Sequence, residues 1–418
     1  MRALRFSLTL VSLGFCSQLV AEPAFGPNEA LPELDWSQAD QAVGKVALIS
    51  GEVVGVGNAG RISFINFDTG RPPGFTGVIF GSSIDNFPEP LEETYQGKKV
   101  QIRGMVTTYR DKPQISITHP DQIEILTELP PKETSIHTPE PMVVEGQVVL
   151  ATYNVLNLFD DQDDPHHSDE STPPKSRAAM ENLAESITAL GADVIAMQEV
   201  ENRGYLQRFL DVLLPEMGYQ HVVHFEGNDL RGIDVCLISR VPIGPVRSFR
   251  HLTFAGPDGT TRHFSRDLLA VTLEPEGAEP FEMWVVHLKS NSGGREFAEP
   301  IRLAEAAQLR ALLDEQLEAD PQARIVVTGD FNDTWGSQTL ETIVGSGSTA
   351  LWSAASDLGD EPHVTFNTGE FRSMIDFILC TPAMAKTYVA NSCRIVPGSP
   401  ESTGSDHNPV AASFSLDR

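Results

Sequence analysis

Residues 324–333 read RIVVTGDFND, and this stretch shows the pattern that decides the fold. Its apolar run, residues 325–327, is typical of a buried β-strand, and Asp330 and Asn332 follow at the end of that run. A strand of this kind carries a carboxylate and an amide to the rim of a sheet. Because Asp and Asn are also common turn residues, the stretch alone is weak support for a functional site.

Other apolar runs in the second part of the chain also carry polar residues at or just after their ends. VVLATY is followed by Asn154, VIAMQ is followed by Glu199, MWVVHL contains His287, and Asp406 and His407 lie near the C-terminus. Carboxylate and amide oxygens are the ligands that hard cations select, and an imidazole can donate or accept a proton near neutral pH. If these strands end together, the recurrence predicts a metal site with acid–base groups beside it.

Helical patterns separate the strands. One helix is predicted from apolar residues that recur at spacings of three and four before Gly191, namely Met180, Leu183, Ile187 and Leu190. A second helix is predicted over residues 301–317. Many β-runs with few helices favour two packed sheets with helices outside them, an α+β arrangement.

Residues 44–127 have a different pattern, with five short β-like runs separated by glycine. Such runs suit a small closed β-barrel, and the segments GKKVQIRG and YRDKPQISITHPDQIEI resemble those of OB-fold domains. Four aromatic residues are candidates for stacking on nucleic-acid bases, with filling of the barrel as the alternative: Phe64, Phe67, Phe80 and Tyr109. Because basic residues are not in excess here, a positioning role is favoured over nucleic-acid binding.

Composition marks the segments on either side of this domain. Residues 1–21 are typical of an export signal, because Arg2 and Arg5 precede an apolar run and Ala21 offers a cleavage site. The run is shorter than the roughly 20 residues that a membrane span needs, so a secreted or periplasmic protein is predicted. Residues 128–146 are rich in proline and are predicted to link the first domain to residues 147–418.

The formal net charge of −28 bears on the choice of substrate. Proteins that bind nucleic acid usually present a basic face, because phosphate contacts supply much of the affinity. In this chain, nucleic-acid binding would rely on a local basic patch and on bound cations. The alternative is that the acidity serves the solubility of a secreted protein.

Three cysteines follow the predicted export signal: Cys236, Cys380 and Cys393. An odd number allows at most one disulfide within the chain, and Cys380 with Cys393 is the only pair considered, with free thiols as the alternative. Cys236 lies in an apolar run and is predicted to be a core residue.

Seven motifs occur in order along the second domain: TYNVLNLF, QEVEN, RGIDVCLISR, VVHLKS, TGDFND, RSMIDFIL and GSDHNPV. With them, residues 151–414 resemble the endonuclease/exonuclease/phosphatase superfamily. The stretch is most similar to secreted bacterial deoxyribonuclease-like members that also carry an OB-type domain in front. The resemblance implies a four-layered α/β sandwich with the site at one edge of its two sheets.

The resemblance also implies roles for single residues. The metal or metal-shell positions match Asn154, Glu199 and Asp406. The water-activating carboxylate matches Asp330, the phosphate contact matches Asn332, the orienting carboxylate and its imidazole match Asp376 and His407, and a second catalytic imidazole matches His287. A divalent metal is implied, with magnesium favoured and manganese and calcium as alternatives. Some members have an Asp where this chain has Leu156, so a second metal of that type is not expected.

The roles of a few further residues are hypotheses. Asp234 is our candidate for the carboxylate that holds His287, with a structural role as the alternative. Lys289 and Arg302 are candidate contacts to the substrate phosphate, with surface solubility as the alternative. The loop DDQDDPHHSDES, residues 160–171, is either a structural calcium site or a solvated acidic loop.

Three function classes follow. The first, which we favour, is an exported metal-dependent hydrolase of the nucleic-acid backbone, with DNA preferred over RNA. The second uses the same residues on a phospholipid head group or a small phosphate ester. The third is a non-catalytic binding protein, against which the complete set of catalytic-type residues argues. Nucleic acid is the expected partner, and neither a membrane span nor a protein partner is implied.

Overall fold

The computed structural model of the chain describes residues 25–26, 29, 31–88, 90–130, 146–169, 172–257, 259–359, 361, 363–368 and 371–416. The predicted export signal and residues 131–145 of the predicted linker lie outside the described residues. No helix in the described ranges combines the length and the apolar composition that a bilayer crossing requires.

The first part of the described chain is a β-rich unit with one short α-helix and the 3-10 helices Trp36–Ala42, Ile84–Asn86 and Pro120–Gln122. Its elements are β1 Glu33–Asp35, β2 Val46–Glu52, β3 Gly55–Asn58, β4 Ile62–Asn66, β5 Thr76–Phe80, α1 Leu91–Tyr95, β6 Lys99–Tyr109, β7 Lys112–Ser116 and β8 Ile123–Leu126. The strands pair in the order β1-β2-β6-β7-β5-β4-β3, and β8 pairs with β6 outside this path.

The pairing of these strands tests the prediction of a closed OB-type barrel. Strands β2 and β3 are separated only by Val53 and Val54, so the chain itself connects these two strands. No ladder between the described strands joins β3 to β1, so these strands do not show the predicted closed barrel, and the OB-type domain and the domain boundaries stay predictions. Of the four aromatic candidates, Phe67 is buried in the core, whereas Phe80 and Tyr109 are 43% and 59% exposed.

The second part of the chain contains the remaining elements. They are β9 Gln147–Leu158, α2 Arg177–Leu190, β10 Val194–Val200, α3 Arg203–Leu213, β11 His221–His224, β12 Asp234–Ser239, β13 Ile243–Ser248, β14 Phe254–Ala255, β15 Thr261–Arg262, β16 Leu269–Leu273, β17 Phe281–His287, α4 Arg295–Ala319, β18 Ile325–Asp330, α5 Gln338–Val344, β19 Trp352–Ser353, β20 Phe366–Asn367, β21 Arg372–Ser373, β22 Asp376–Cys380, α6 Pro382–Ala385, β23 Arg394–Ile395, α7 Pro400–Thr403 and β24 Val410–Ser415.

Most of these strands form two mixed sheets of six strands each. The first sheet has the order β11-β12-β10-β9-β24-β23, and the second has the order β13-β16-β17-β18-β22-β19. The central pairs β9–β10 and β17–β18 are parallel. Because parallel neighbours end at the same edge of a sheet, each central pair carries its last residues to a common rim.

Alternation along the strands gives each sheet two apolar faces. Leu150 and Val194 of the first sheet pack against Val285 and Val326 of the second, in a core shared by both sheets. The outer face of the first sheet packs on α2 and α3, and the outer face of the second packs on α4 and α5. The α+β class and the layered arrangement of helix, sheet, sheet and helix are therefore confirmed.

Both predicted helices are present, but their ends were predicted with different accuracy. Helix α2 begins after the N-cap Ser176 and ends before Gly191, whose φ of 59° is left-handed, as the sequence indicated. The predicted start of the second helix at residue 301 was wrong, because α4 begins at Arg295 and includes Pro300. Pro300 is the sixth residue of α4, beyond the first four N–H groups that lack intrahelical acceptors, so its missing N–H leaves the carbonyl of Glu296 without the usual donor.

Candidate functional site

Three predicted site residues lie side by side at the rim of the second sheet. In the parallel pair β17–β18, His287 lies opposite Asp330. In the antiparallel pair β18–β22, Asp330 lies opposite Asp376. The strand register therefore places one imidazole and two carboxylates on three adjacent strands.

A hydrogen bond joins this row to the first sheet. Asn154, on β9, donates from Nδ2 to Asp330 Oδ2 at 3.1 Å and approaches Glu199 Oε1 at 3.4 Å. Its own Oδ1 accepts the Leu156 N–H at 3.1 Å. Asn154 thus holds two carboxylates from opposite sheets, and its place at or near a metal stays a prediction.

Asp330 is the centre of the site. Its Oδ1 accepts the backbone N–H of Asn332 at 2.8 Å. Its Oδ2 lies 3.5 Å from His287 Nε2 and 3.7 Å from His407 Nε2. The His407 ring is oriented in turn by Asp376, whose Oδ2 lies 2.9 Å from His407 Nδ1. All four side chains are buried.

Asn332 lies beside this centre, in a left-handed conformation with a φ of 52°. Its Nδ2 donates to the carbonyl oxygen of Leu288 at 3.0 Å, which fixes the amide next to Asp330. Its predicted contact with phosphate stays a prediction.

The two imidazoles have opposite electrostatic environments. Burial would lower the pKa of His407, but the charges of Asp376 and Asp330 outweigh burial and raise that pKa to about 10. Burial, helped by the charge of Arg266, lowers the pKa of His287 well below its usual range. Near neutral pH, His407 is therefore a charged donor and His287 is a neutral imidazole.

The same surroundings change the proton affinity of Asp330. Burial raises its pKa, the charge of His407 opposes that effect, and the charge of Asp376 adds to it, so that the pKa of Asp330 is about 7. A carboxyl group with a pKa near the working pH is suited to accept a proton during a reaction.

Glu199 reaches the rim through an irregularity of its strand. The register of β10 against both neighbours shifts between Gln198 and Val200, and Glu199 has a φ of 64°. This bulge turns the carboxylate toward Asn157, whose backbone N–H donates to Glu199 Oε2 at 3.1 Å. A non-glycine residue with positive φ costs free energy and is common at functional sites.

The carboxylates of Glu199 and Asp406 fit a divalent cation. Burial raises the pKa of Asp406, the charge of His407 lowers it, and the charge of Glu199 raises it again, so the two carboxylates repel each other. Oxygen donors of this kind suit magnesium, manganese or calcium, and a cation between them would relieve the repulsion. The match rests on the chemistry of these oxygen donors, and a cation at Glu199 and Asp406 stays a prediction.

Arg302 does not fit the predicted role of a phosphate contact. Its side chain is fully buried, and Nη2 lies 3.3 Å from Asp333 Oδ2. Its Nη1 donates to the Lys289 carbonyl oxygen at 2.8 Å and to Asn291 Oδ1 at 3.1 Å. The guanidinium ties the loop after β17 to the loop after β18, and it faces no solvent from which a substrate could approach.

Lys289 is half-buried and is folded onto its own loop. Its Nζ donates to the carbonyl oxygens of Ser290 and Ser292 at 3.1 and 3.4 Å. Burial lowers its pKa, and the nearby charge of Arg266 adds to that effect. A contact between Lys289 and phosphate stays a prediction.

Asp234 does not hold His287. Its Oδ1 accepts the Gly227 N–H at 2.6 Å, and its Oδ2 lies 3.4 Å from His224 Nε2. His287 Nδ1 has no hydrogen-bond partner among the described residues. Asp234 begins β12 in the first sheet and His287 ends β17 in the second, so their approach depended on sheet packing that the sequence did not specify.

Some polar groups of the acidic loop after β9 pair within the loop, whereas Asp169 Oδ1 is buried without a hydrogen-bond partner among the described residues. Asp164 Oδ2 lies 2.9 Å from His167 Nδ1, and the Asp164 N–H donates to Asp169 Oδ2 at 3.1 Å. Among the described residues of this loop, no group has the geometry of a metal site. The calcium hypothesis gains no support there.

The three cysteines after the predicted export signal are free and buried. The disulfide between Cys380 and Cys393 is therefore not formed, and Cys236 is a core residue of the first sheet as predicted.

Two polar residues of the site were missed by the sequence analysis. Lys175 is 9% exposed, donates from Nζ to the Gly404 carbonyl oxygen at 2.7 Å, and places its charge near Glu199 and Asp406. Ser405 donates to the Asn154 carbonyl oxygen at 2.7 Å. Lys175 precedes the cap of α2, and Ser405 lies inside the GSDHNPV motif, but no periodicity distinguishes either from an ordinary loop residue.

A match to a family model shows the family of this chain. A family model described as the endonuclease/exonuclease/phosphatase family matches residues 149–360, slightly more than half of the chain. That match ends before Asp376, Asp406 and His407. No curated protein matches the chain.

Solved structures resemble about two thirds of the chain. One is an endonuclease/exonuclease/phosphatase from Bacteroides vulgatus, 21% identical, covering 65% of this chain and 99% of that chain with a TM-score of 0.46. The human Nocturnin catalytic domain with bound sulfate is 18% identical and covers 67% and 100%, with a TM-score of 0.45. D. rerio TDP2 complexed with a single-strand DNA product is 16% identical and covers 65% and 99%, with a TM-score of 0.45.

Proposed function

The chain belongs to the endonuclease/exonuclease/phosphatase family, whose members hydrolyse phosphoesters, and on that premise we propose that it is a metal-dependent phosphodiesterase of the nucleic-acid backbone. DNA is the proposed substrate in preference to RNA. The observation that carries the proposal is the single oxygen Asp330 Oδ2, which two imidazoles approach at 3.5 and 3.7 Å beside the carboxylate pair of Glu199 and Asp406.

Asp330 is the proposed base. A water molecule beside Asp330 attacks the phosphorus atom in line with the leaving oxygen, and its proton passes to the carboxylate as the new P–O bond forms. Asn332 holds one carboxylate oxygen through its backbone N–H, and Asn154 holds the other through its side chain. These hydrogen bonds fix the direction of the base before substrate binds.

The imidazoles take the complementary roles. His407, charged near neutral pH because of Asp376 and Asp330, donates a proton to the leaving oxygen as the old P–O bond breaks. His287, kept neutral by burial, donates a hydrogen bond to a phosphoryl oxygen. Glu199 and Asp406 would hold the proposed divalent cation, with magnesium preferred, and the cation would supply positive charge to the phosphoryl oxygens.

Exposed aromatic side chains beside the site support a nucleic-acid substrate. Trp335 follows Asp333 by two residues and is 55% exposed. Phe371 is 68% exposed and lies between β20 and β21, and Phe366 of β20 bridges to His407. Exposed aromatic rings beside a phosphodiester site are suited to stack on unpaired bases.

A plasmid assay tests this function. Purified protein is incubated with supercoiled plasmid and magnesium, with and without a chelator, and the same assay is run on Asp330→Asn. Glu318→Gln, an exposed carboxylate on α4, is the matched control. We expect magnesium-dependent nicking in the wild type and in Glu318→Gln, and a loss on the order of 10²-fold or more in Asp330→Asn.

The outcomes discriminate between the function classes. Nicking that survives Asp330→Asn would assign the activity to another group or to a contaminant. If no divalent metal supports cleavage of DNA or RNA, the nucleic-acid proposal is wrong. Assays on phospholipid and small phosphate esters then test the second class with the same pair of variants.

Export is part of the proposal, and residues 1–21 support it through their basic start and short apolar run. The test is fractionation of producing cells followed by N-terminal sequencing of the protein. A chain that begins at Glu22 in the periplasm or medium supports export. An unprocessed chain that stays in the cytoplasm contradicts it.

A further inference from the structure

A second group of ligand-type side chains lies outside the proposed catalytic residues. It consists of His224 at the end of β11, Asp234 at the start of β12, and Glu226 in the loop between them. One ligand atom from each residue lies within 4.8 Å of the others. We call these three residues the β11–β12 cluster.

Two atoms of the β11–β12 cluster are buried without a hydrogen-bond partner. They are His224 Nε2 and Asp234 Oδ2, and the two side chains are 3% and 2% exposed. Most buried polar atoms in proteins are paired, so two facing atoms of this kind require a reason. Desolvation of an unpaired polar atom costs about 1–3 kcal/mol, which a ligand between the two atoms would offset.

The separation of the two atoms matches a metal site. His224 Nε2 and Asp234 Oδ2 lie 3.4 Å apart. Two ligands that each lie about 2.1 Å from a tetrahedral zinc ion are about 3.4 Å from each other. The structure therefore holds the nitrogen and the oxygen at the spacing that a shared zinc ion needs.

Neighbouring backbone groups orient both buried ligands. The Gly227 N–H donates to Asp234 Oδ1 at 2.6 Å, which directs Oδ2 toward His224. The His224 ring also lies against the backbone at Val200 and Glu201. Hydrogen bonds from a second layer of groups are how proteins fix metal-binding imidazoles and carboxylates. The third ligand, Glu226, is exposed and gives an ion a route from solvent.

We propose that the β11–β12 cluster binds one zinc ion through His224, Glu226 and Asp234. Mixed imidazole and carboxylate ligands favour zinc over magnesium, which prefers oxygen ligands alone. The ion connects the end of β11 to the start of β12 and so fixes the loop between them. This site shares no ligand with the proposed catalytic cation at Glu199 and Asp406 and goes beyond the proposed hydrolysis, because it requires no phosphodiester.

Zinc titration of the full-length protein tests the site. The background is the double variant Glu199→Gln/Asp406→Asn, in which the proposed catalytic cation has lost both carboxylate ligands. Protein freed of metal by a chelator is titrated with Zn²⁺ in a calorimeter. His224→Gln and Glu226→Gln are added singly to this background, and His221→Gln, on the same strand, is the matched control.

We expect one zinc ion per chain in the background protein and in His221→Gln. We expect a dissociation constant at least tenfold higher in His224→Gln and in Glu226→Gln. Crystals soaked in zinc should show an anomalous peak between the three side chains. Equal affinity in all variants, or no zinc binding in the background protein, would overturn the proposal.

Folding and function are controlled separately. Circular dichroism of each metal-free variant shows whether it folds, and Glu226→Gln decides the question if His224→Gln does not, because Glu226 is exposed. Since the measurement is zinc binding, loss of the plasmid-nicking activity would leave the result unaffected. The two proposals therefore fail independently.

Discussion

At the scale of residues, Asp376 affects both titrating groups of the proposed reaction. Its charge raises the pKa of Asp330, which is about 7, and the pKa of His407, which is about 10. The proposed base works when it is ionised, and the proposed acid works when it is protonated. The active form therefore predominates between these two values.

The pH dependence of turnover checks this assignment. With a small phosphodiester as substrate, kcat/KM should rise as the pH increases through about 7, because Asp330 loses its proton, and fall near 10, because His407 loses its own. In Asp376→Asn both limbs should move to lower pH, since one negative charge has been removed. A profile whose limbs do not move in that variant contradicts the assignment.

Arg302 gives a second prediction at this scale. Arg302→Leu leaves the buried Asp333 without its ion pair, and removal of one partner from a buried pair costs about 3–5 kcal/mol. We expect a loss of that size in the free energy of unfolding measured with urea. Lys289 is a half-buried cation in the loop that Arg302 contacts, and Lys289→Met should lower the free energy of unfolding by less than about 1 kcal/mol. Unchanged stability with a raised KM in Arg302→Leu would restore the phosphate role.

At the scale of elements, the pair β17–β18 determines how His287 and Asp330 approach each other. Gly329 has a φ of 145°, and a Cβ atom there would lie 1.9 Å from the Val286 carbonyl oxygen. Only glycine fits this close approach of two strands. The residue before the proposed base is therefore restricted by strand packing.

Gly329→Ala should separate the strands next to the site. The strained backbone and the contact with Val286 should together cost on the order of 3 kcal/mol of unfolding free energy, and kcat should fall because Asp330 moves away from His287. Gly55→Ala, where an added Cβ meets nothing within 4 Å, is the control. Wild-type unfolding free energy and kcat in Gly329→Ala would contradict this prediction, because the strands would then accommodate the Cβ atom without loss of stability or activity.

At the scale of the whole molecule, the formal charge of −28 opposes a polyanionic substrate. Salt screens repulsion between like charges over a Debye length of about 10 Å at 0.1 M ionic strength. For a basic nuclease, added salt weakens binding to DNA, whereas for this chain it should first relieve repulsion.

We therefore predict that added salt increases cleavage of DNA by this chain, whereas it decreases cleavage by a basic nuclease. At fixed magnesium, kcat/KM on plasmid DNA should rise severalfold when monovalent salt increases from about 10 to about 100 mM. The rate on a small phosphodiester, which carries little charge, should change much less. A steep fall on plasmid DNA would indicate a basic binding surface that compensates the net charge.

Sequence alone determined the features that are local along the chain. Apolar runs that end in polar residues predicted the strands that carry Asn154, Glu199 and Asp330, because a buried strand restricts consecutive residues. Helical spacing predicted α2 and its end at Gly191 for the same reason. The ordered motifs then predicted the family, which the matching family model confirmed.

Only the tertiary structure decided which side chains meet. Asn154 and Asp330 are 176 residues apart, and the approach of the two sheets brings them within 3.1 Å. Sheet packing likewise placed Asp234 beside His224 rather than His287, and helix packing buried Arg302 against Asp333. A motif states which residue types are present, but hydrogen bonds depend on distances across the core, which no local pattern specifies.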